Sequence, residues 1–178
     1  MAADYLTEIK NIFDGGSLVL SVSVKDYSDM LAKLLDFLVN KNNFSGVVLA
    51  VNKPYAIIKK DLEKNNIDWK KVLVIDTVSS TLEKREANCI YLPRPFNANL
   101  ANMALDEFVS DPEQKFFVFD TLDSILATDA KVTVKFFQFI LPQISTKNKF
   151  AIVIGVGLDL AKQEIKLISQ LANKIVEV

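Results

Sequence analysis

Two aspartates, Asp120 and Asp123, are the residues of this sequence whose position best suits chemistry. Four apolar residues, Phe116–Phe119, run directly into Asp120, and such a run is typical of a strand that is buried on both faces. In open α/β sheets, ligands bind at the carboxyl ends of the strands. The two carboxylates could therefore hold a divalent cation and, through it, phosphates.

A structural role explains the same two residues. Asp120 would accept backbone or hydroxyl hydrogen bonds at the end of its strand, and Asp123 would face water. We favour this interpretation because two carboxylates without further ligands make a weak cation site. It predicts that the chain holds no metal ion and that Asp120→Asn lowers the stability by about 1 kcal/mol.

The residues that many other catalytic sites require are absent from the sequence. There is no histidine and a single cysteine, Cys89, which excludes Ser–His and Cys–His triads and Cys/His zinc sites within this chain. Cys89 lies in a short apolar segment and is expected to pack as a small hydrophobic residue. The lone cysteine, and an N-terminus without a basic region followed by an apolar stretch, indicate a cytoplasmic protein.

The composition predicts one folded domain, since 178 residues of which 50% are hydrophobic can bury a substantial core. The net charge is −1 and the lysines are scattered along the chain. We therefore expect no nucleic-acid partner, because phosphates require a basic surface. We expect no membrane partner either, because no apolar run approaches the roughly 18 residues of a spanning helix.

Hydrophobic periodicity predicts strands that alternate with helices along the whole chain. Residues 1–16 are predicted to form a short helix and a linker, and residues 17–178 an α/β domain. Predicted strands begin at 17, 46, 72, 116, 149 and 174, with helices over 27–40, 52–64, 98–109, 130–145 and 159–171. Predicted helix caps are Asp26, Asn97 and Asp129. This alternation predicts a three-layer, doubly wound fold with a mostly parallel sheet.

Three segments carry a resemblance to known proteins: DGGS at 14–17, NNIDWKKVLVID at 65–76 and FFVFDTLDSIL at 116–126. Their order and spacing, followed by a helix and the strand FAIVIGV at 150–156, resemble the RecA superfamily. Within it, the chain is similar to KaiC-like ATPases and their degenerate archaeal relatives, which include a family of unknown function in signalling proteins. The resemblance implies a RecA-like fold whose six strands lie in the spatial order third, second, fourth, fifth, first, sixth. It also implies that Asp120 and Asp123 mark a vestigial Walker B site.

The ATPases that this chain resembles bind phosphates with a glycine-rich loop that ends in Gly-Lys-Ser/Thr after the first strand. Here that position holds Ser-Val-Lys-Asp-Tyr-Ser at 23–28, which contains no glycine. Lys25, Asp26 and Ser28 thus mark a degenerate phosphate loop. Lys25 is expected to be a solvated turn residue, and Asp26 with Asp29 would repel a triphosphate.

The water-activating acid of these ATPases follows their second strand, where this sequence has Asn52. An amide cannot take up a proton at neutral pH. Because two parts of the hydrolytic machinery are missing, we expect a non-catalytic pseudo-ATPase that serves as a protein-interaction or signalling module and uses no cofactor. The alternative is a nucleotide-binding sensor or ATPase with an unconventional phosphate loop.

The predicted helix at 130–145 carries more apolar residues than one buried face requires. They spread over roughly 220° of the helix, about twice the stripe of a one-sided surface helix. Val134, Phe137 and Leu141 form the group that lies away from the expected sheet-facing side. We expect this group to bind a protein partner or a second copy of the chain; the alternative is that the N-terminal or the C-terminal helix covers it.

Overall fold

A computed structural model describes residues 5–79 and 86–178. Within these residues the centre of the fold is a seven-stranded sheet in which neighbouring strands are parallel. The strands are β1 (Gly16–Val22), β2 (Ser45–Ala50), β3 (Val72–Asp76), β4 (Cys89–Tyr91), β5 (Gln114–Asp120), β6 (Phe150–Val156) and β7 (Lys174–Glu177). Their spatial order is β4-β3-β2-β5-β6-β1-β7, which confirms the predicted order of the six strands and adds β4 at the edge beside β3.

Helices cover both faces of the sheet and complete the predicted three-layer fold. They are α1 (Tyr5–Lys10), α2 (Tyr27–Leu35), α3 (Tyr55–Lys64), α4 (Ala98–Ser110), α5 (Leu122–Leu126), α6 (Ala130–Thr146) and α7 (Gln163–Leu171). A π-helical segment (Asp36–Lys41) extends α2, and a 3-10 turn (Trp69–Lys71) precedes β3. Helices α1 to α3 pack on one face of the sheet and α4 to α7 on the other. Nowhere in the described ranges is a helix both long and apolar enough to cross a membrane.

Strand β5 is apolar from Phe116 to Phe119 because this part lies at the centre of the sheet, between β2 and β6. Phe116 and Val118 belong to the core beneath α1 to α3, whereas Phe117 and Phe119 belong to the core beneath α4 to α7. All four side chains are completely buried. A polar residue on either face of this central part would lose its water without gaining a partner, so polar residues occur only at the two ends of the strand, at Gln114-Lys115 and at Asp120.

Two of the three predicted helix caps are confirmed. Asn97 accepts hydrogen bonds from two amides in the first turn of α4, and Asp129 accepts one from an amide in the first turn of α6. Asp26 does not cap α2, because its carboxylate accepts a hydrogen bond from a serine hydroxyl of the preceding loop. The last helix begins at Gln163 rather than Asp159, since Asp159 accepts from the amide two residues further on and closes a turn.

The expected interface on α6 is wrong, because Val134, Phe137 and Leu141 are only 8%, 0% and 1% exposed. Helix α6 packs against α4 and α7 as well as against β1 and β6. Contacts with two helices in addition to the sheet cover a wide arc of α6, which is why its apolar residues spread so far around the axis. The C-terminal helix does pack against α6, as the alternative expects, whereas α1 lies on the opposite face of the sheet. Phe137 also contacts the sheet, with its ring centre 4.9 Å from that of Phe119 in β5.

Helix α1 docks on the domain through its apolar side. Ile9 is buried in the core beneath α1 to α3, and so is Ile12 just after the helix. Glu8 forms an ion pair of 2.6 Å with Lys174 of β7, at the edge of the sheet. Residues 1–4 of the predicted N-terminal segment lie outside the described residues.

Candidate functional site

The carboxyl ends of the parallel strands lie along one edge of the sheet, where open α/β sheets bind their ligands. Three connections reach this edge near the sheet centre: residues 23–26 after β1, 51–54 after β2, and Thr121 after β5. Here Tyr27, the first residue of α2, lies next to Asp120, the last residue of β5. This cluster is the candidate site.

Asp120 is completely buried, and its two carboxylate oxygens have different surroundings. Oδ2 accepts a hydrogen bond of 3.2 Å from the Tyr27 hydroxyl, which confirms the expected hydroxyl partner. Oδ1 has no hydrogen-bond partner in the described part of the chain. Burial raises the pKa of Asp120 to about 6, although the Tyr27 hydrogen bond and the charge of Lys53 act in the opposite direction. The ionised carboxylate is therefore poorly compensated at neutral pH.

The Tyr27 hydroxyl joins two loops of the site. It donates to Asp120 and accepts a hydrogen bond of 3.1 Å from Nδ2 of Asn52. Burial, followed by the nearby charge of Asp120, raises the pKa of Tyr27 well above its ordinary value, so the hydroxyl keeps its proton. Lys53 Nζ lies 4.8 Å from the centre of the Tyr27 ring and donates to the Ser28 carbonyl at 3.3 Å. The lysine thus holds the ring in place through a cation–π contact.

The expectation that Asp123 faces water is wrong. Its side chain is half-buried, and Oδ1 accepts a hydrogen bond of 2.9 Å from the amide of Val156 at the end of β6. Beside it, the hydroxyls of Thr121 and Ser124 share a hydrogen bond of 3.0 Å. Asp123 therefore ties α5 to β6. Among residues 5–79 and 86–178, no three Cys, Asp or Glu side chains are grouped as ligands for a metal ion.

The connection between β1 and α2 contains four residues and folds back on itself. Ser23 Oγ donates to Asp26 Oδ2 at 2.5 Å, and the Asp26 amide donates to Ser23 Oγ at 3.2 Å. Lys25, Asp26 and Ser28 are all exposed. These three positions lie together at the start of α2, but the side chain that reaches the buried aspartate of β5 is that of Tyr27.

Asp76, at the end of β3, is a second completely buried aspartate. It accepts hydrogen bonds from the amides of Tyr55, Val78 and Ser79 at 2.7, 2.7 and 2.9 Å, and from the Ser79 hydroxyl at 2.6 Å. These bonds join the start of α3 to the turn after β3. With four donors, the Asp76 carboxylate is fully satisfied, in contrast to that of Asp120.

Sequence reasoning missed Tyr27 and Lys53 as members of the site. Tyr27 shows in the sequence only as the start of a helix, because nothing in residues 23–28 indicates which side chain turns towards the sheet. One signal was present: a residue that begins the helix after an inner strand lies at the carboxyl edge of the neighbouring strands.

No protein-family model matches the chain, and no curated protein matches it. Among solved structures, the chain is similar to the KaiC-like protein PH0186 from the hyperthermophilic archaeon Pyrococcus horikoshii OT3. The two proteins are 12% identical and superpose with a TM-score of 0.64, over 92% of this chain and 71% of that chain. At this identity the similarity establishes the fold and not the activity. The chain therefore has a RecA/KaiC-like α/β fold.

Proposed function

We propose that this chain is a pseudo-ATPase, a RecA/KaiC-like domain that does not hydrolyse nucleotides and serves as a protein-interaction or signalling module. The observation that carries the proposal is the hydrogen bond of 3.2 Å between the Tyr27 hydroxyl and Asp120. A phenol of the chain itself lies against the carboxylate that would be needed for a metal ion and phosphates in a Walker B role.

The connection before Tyr27 supports the proposal. A phosphate-binding loop needs several successive backbone N–H groups around the phosphates, and four residues between β1 and α2 are too few to supply them. The Asp26 amide, one of these donors, is already bonded to Ser23. The exposed carboxylates of Asp26 and Asp29 also place negative charge at the helix N-terminus, which would otherwise attract a phosphate. The residues at this edge therefore do not fit a magnesium nucleotide.

The loop after β2 supports the same proposal. Asn52 occupies the position at which the related ATPases carry the acid that activates water. Its amide group donates to the Tyr27 hydroxyl at 3.1 Å, so it holds the tyrosine on Asp120. The amide has no proton-accepting nitrogen, and it cannot act as a general base for the attack of water.

One observation favours the alternative, a nucleotide-binding sensor or ATPase with an unconventional phosphate loop. Oδ1 of Asp120 is buried without a hydrogen-bond partner in the described residues, and an unsatisfied oxygen at the ligand-binding edge of a sheet could accept a bond from a ligand. Such a ligand would have to displace Tyr27 and break its hydrogen bonds to Asp120 and Asn52.

Calorimetric titration of the purified chain with ATP and GTP, with magnesium and at millimolar concentrations, separates the two functions. We expect no saturable binding. Binding with a dissociation constant below about 100 μM, which is worth about −5.5 kcal/mol, would refute the pseudo-ATPase proposal. Tyr27→Ala is the matched variant, because it removes the phenol and leaves the loop unchanged. We expect no binding by this variant either, since the short loop alone lacks the donors that a triphosphate needs.

A further inference from the structure

The outer side of α4 and α6 carries an apolar groove with a volume of about 730 Å³. Met103 of α4 is 68% exposed in this groove, and Phe139 and Val132 of α6 are 51% and 37% exposed. These three are half of the six large hydrophobic residues that are exposed in the described part of the chain. Their concentration in one place is unusual for a surface that meets only water.

Each helix contributes one stripe of side chains to the groove, at the spacing of one helical face. The stripes are Asn99, Met103 and Asp106 on α4, and Val132, Lys135 and Phe139 on α6. Helix α4 leads into β5 and α6 leads into β6, and these strands are parallel neighbours. The two helices therefore run side by side in the same direction, and each stripe includes one charged residue and at least one exposed apolar residue.

The two charges of the groove are opposite and uncompensated. Asp106 and Lys135 are both exposed, and neither takes part in the ion pairs found within residues 5–79 and 86–178. A partner that carried charges of one sign would set either Asp106 or Lys135 against a like charge, which opposes association. In a second copy related by a two-fold axis that passes midway between these two residues, Asp106 of each copy would face Lys135 of the other.

We propose that this groove is the contact surface of a two-fold symmetric homodimer. Met103 and Phe139 of both copies form its apolar centre, and two pairs between Asp106 and Lys135 flank that centre. The inference rests on the proposed interaction role and identifies the partner as a second copy of the chain. It assigns self-association to the exposed side of α6 and not to the buried group of Val134, Phe137 and Leu141.

Sedimentation equilibrium of the full chain tests the dimer. We expect the wild type to be dimeric and Phe139→Glu to weaken the dimer at least tenfold, because the substitution places a charge in the apolar centre. Ile57→Glu is the matched control. Ile57 is 46% exposed on α3, which packs on the opposite face of the sheet, so this variant should dimerise as the wild type does.

Charge reversal tests the two-fold arrangement. Asp106→Lys and Lys135→Glu should each weaken the dimer at least tenfold, because each places like charges together at both contacts. A mixture of the two variants should recover the dimer, since it restores opposite charges at both contacts. Both residues are exposed, and circular dichroism should find both variants folded.

A wild type that sediments as a monomer at about 100 μM would overturn the homodimer. So would a dimer that Phe139→Glu leaves unchanged, or charge-reversed variants that stay monomeric when they are mixed. The nucleotide titration is independent of these outcomes. A monomeric chain that binds no nucleotide would refute the homodimer and agree with the pseudo-ATPase proposal. A dimeric chain that binds nucleotide would agree with the homodimer and refute the pseudo-ATPase proposal.

Discussion

Asp120→Asn is expected to stabilise the chain at neutral pH. The pKa of Asp120 is raised from 3.8 to about 6, and burial is the main cause. A difference of about two pKa units between the unfolded and the folded state corresponds to about 3 kcal/mol. The free energy of unfolding of the wild type is lower by this amount at neutral pH, because the folded state buries an ionised carboxylate. Asparagine has no charge to desolvate and keeps an oxygen that can accept the Tyr27 hydrogen bond. Its NH₂ group would take the place of Oδ1, which has no partner in the described residues, and buried donors that are left unpaired cost about 1–3 kcal/mol. We therefore expect a net gain of about 1 kcal/mol in the free energy of unfolding at pH 7.

The gain depends on pH with a definite sign. Below pH 3.8, Asp120 is protonated in the folded and the unfolded state, and its burial carries no charge penalty. Between pH 3.8 and about 6, the folded state binds more protons than the unfolded state, so the stability of the wild type falls as the pH rises. The stability difference between Asp120→Asn and the wild type should therefore widen from pH 4 to pH 7 and then stay constant.

Urea unfolding of both proteins at several pH values between 4 and 8 measures this difference. Asp76→Asn is the matched control, because Asp76 is equally buried at the end of another inner strand, β3, but accepts four hydrogen bonds. An amide offers one accepting oxygen in place of two, so donors are left unpaired and this variant should lose about 1.5–3 kcal/mol.

Opposite signs for the two substitutions are the decisive result. Asp120→Asn could instead lower the stability at pH 7, as the sequence alone predicts. In that case, burying the ionised Asp120 carboxylate does not destabilise the folded state as the structure implies. A stability difference that is the same at pH 4 and pH 7 would refute the reasoning in a second way, because it would show that the ionisation of Asp120 is not responsible.

Two further substitutions test the packing. Phe137→Ala should lower the free energy of unfolding by about 3–5 kcal/mol, because Phe137 is completely buried with its ring centre 4.9 Å from that of Phe119. A loss below about 1 kcal/mol, measured by urea unfolding, would contradict the burial of this side chain. Gly46→Ala should cost about 1–3 kcal/mol, because the added methyl group would meet the backbone and ring of Phe116 on the adjacent strand. Ser45→Ala is its control, and an equal thermal midpoint for both variants would contradict the close approach.

The sequence by itself determined the fold. Strands that are buried on both faces must be apolar throughout, so the run before Asp120 identified the central strand without knowledge of its neighbours. The caps of α4 and α6 were also predictable, because Asn97 and Asp129 bond to amides only two or three residues away. Such signals need no contact between distant parts of the chain.

The tertiary structure alone decided which residues form the site and which surface is free. Tyr27 and Asp120 are 93 positions apart, and their hydrogen bond depends on how α2 begins above the end of β5. Asp76 and Asp120 both end an apolar strand in the sequence, yet one meets four donors and the other a single hydroxyl. The breadth of the apolar surface on α6 was visible in the sequence, but only the packing of α6 against the sheet, α4 and α7 determined that Phe137 is covered. Periodicity reports how much of a helix is apolar, whereas its neighbours in space decide which part meets water.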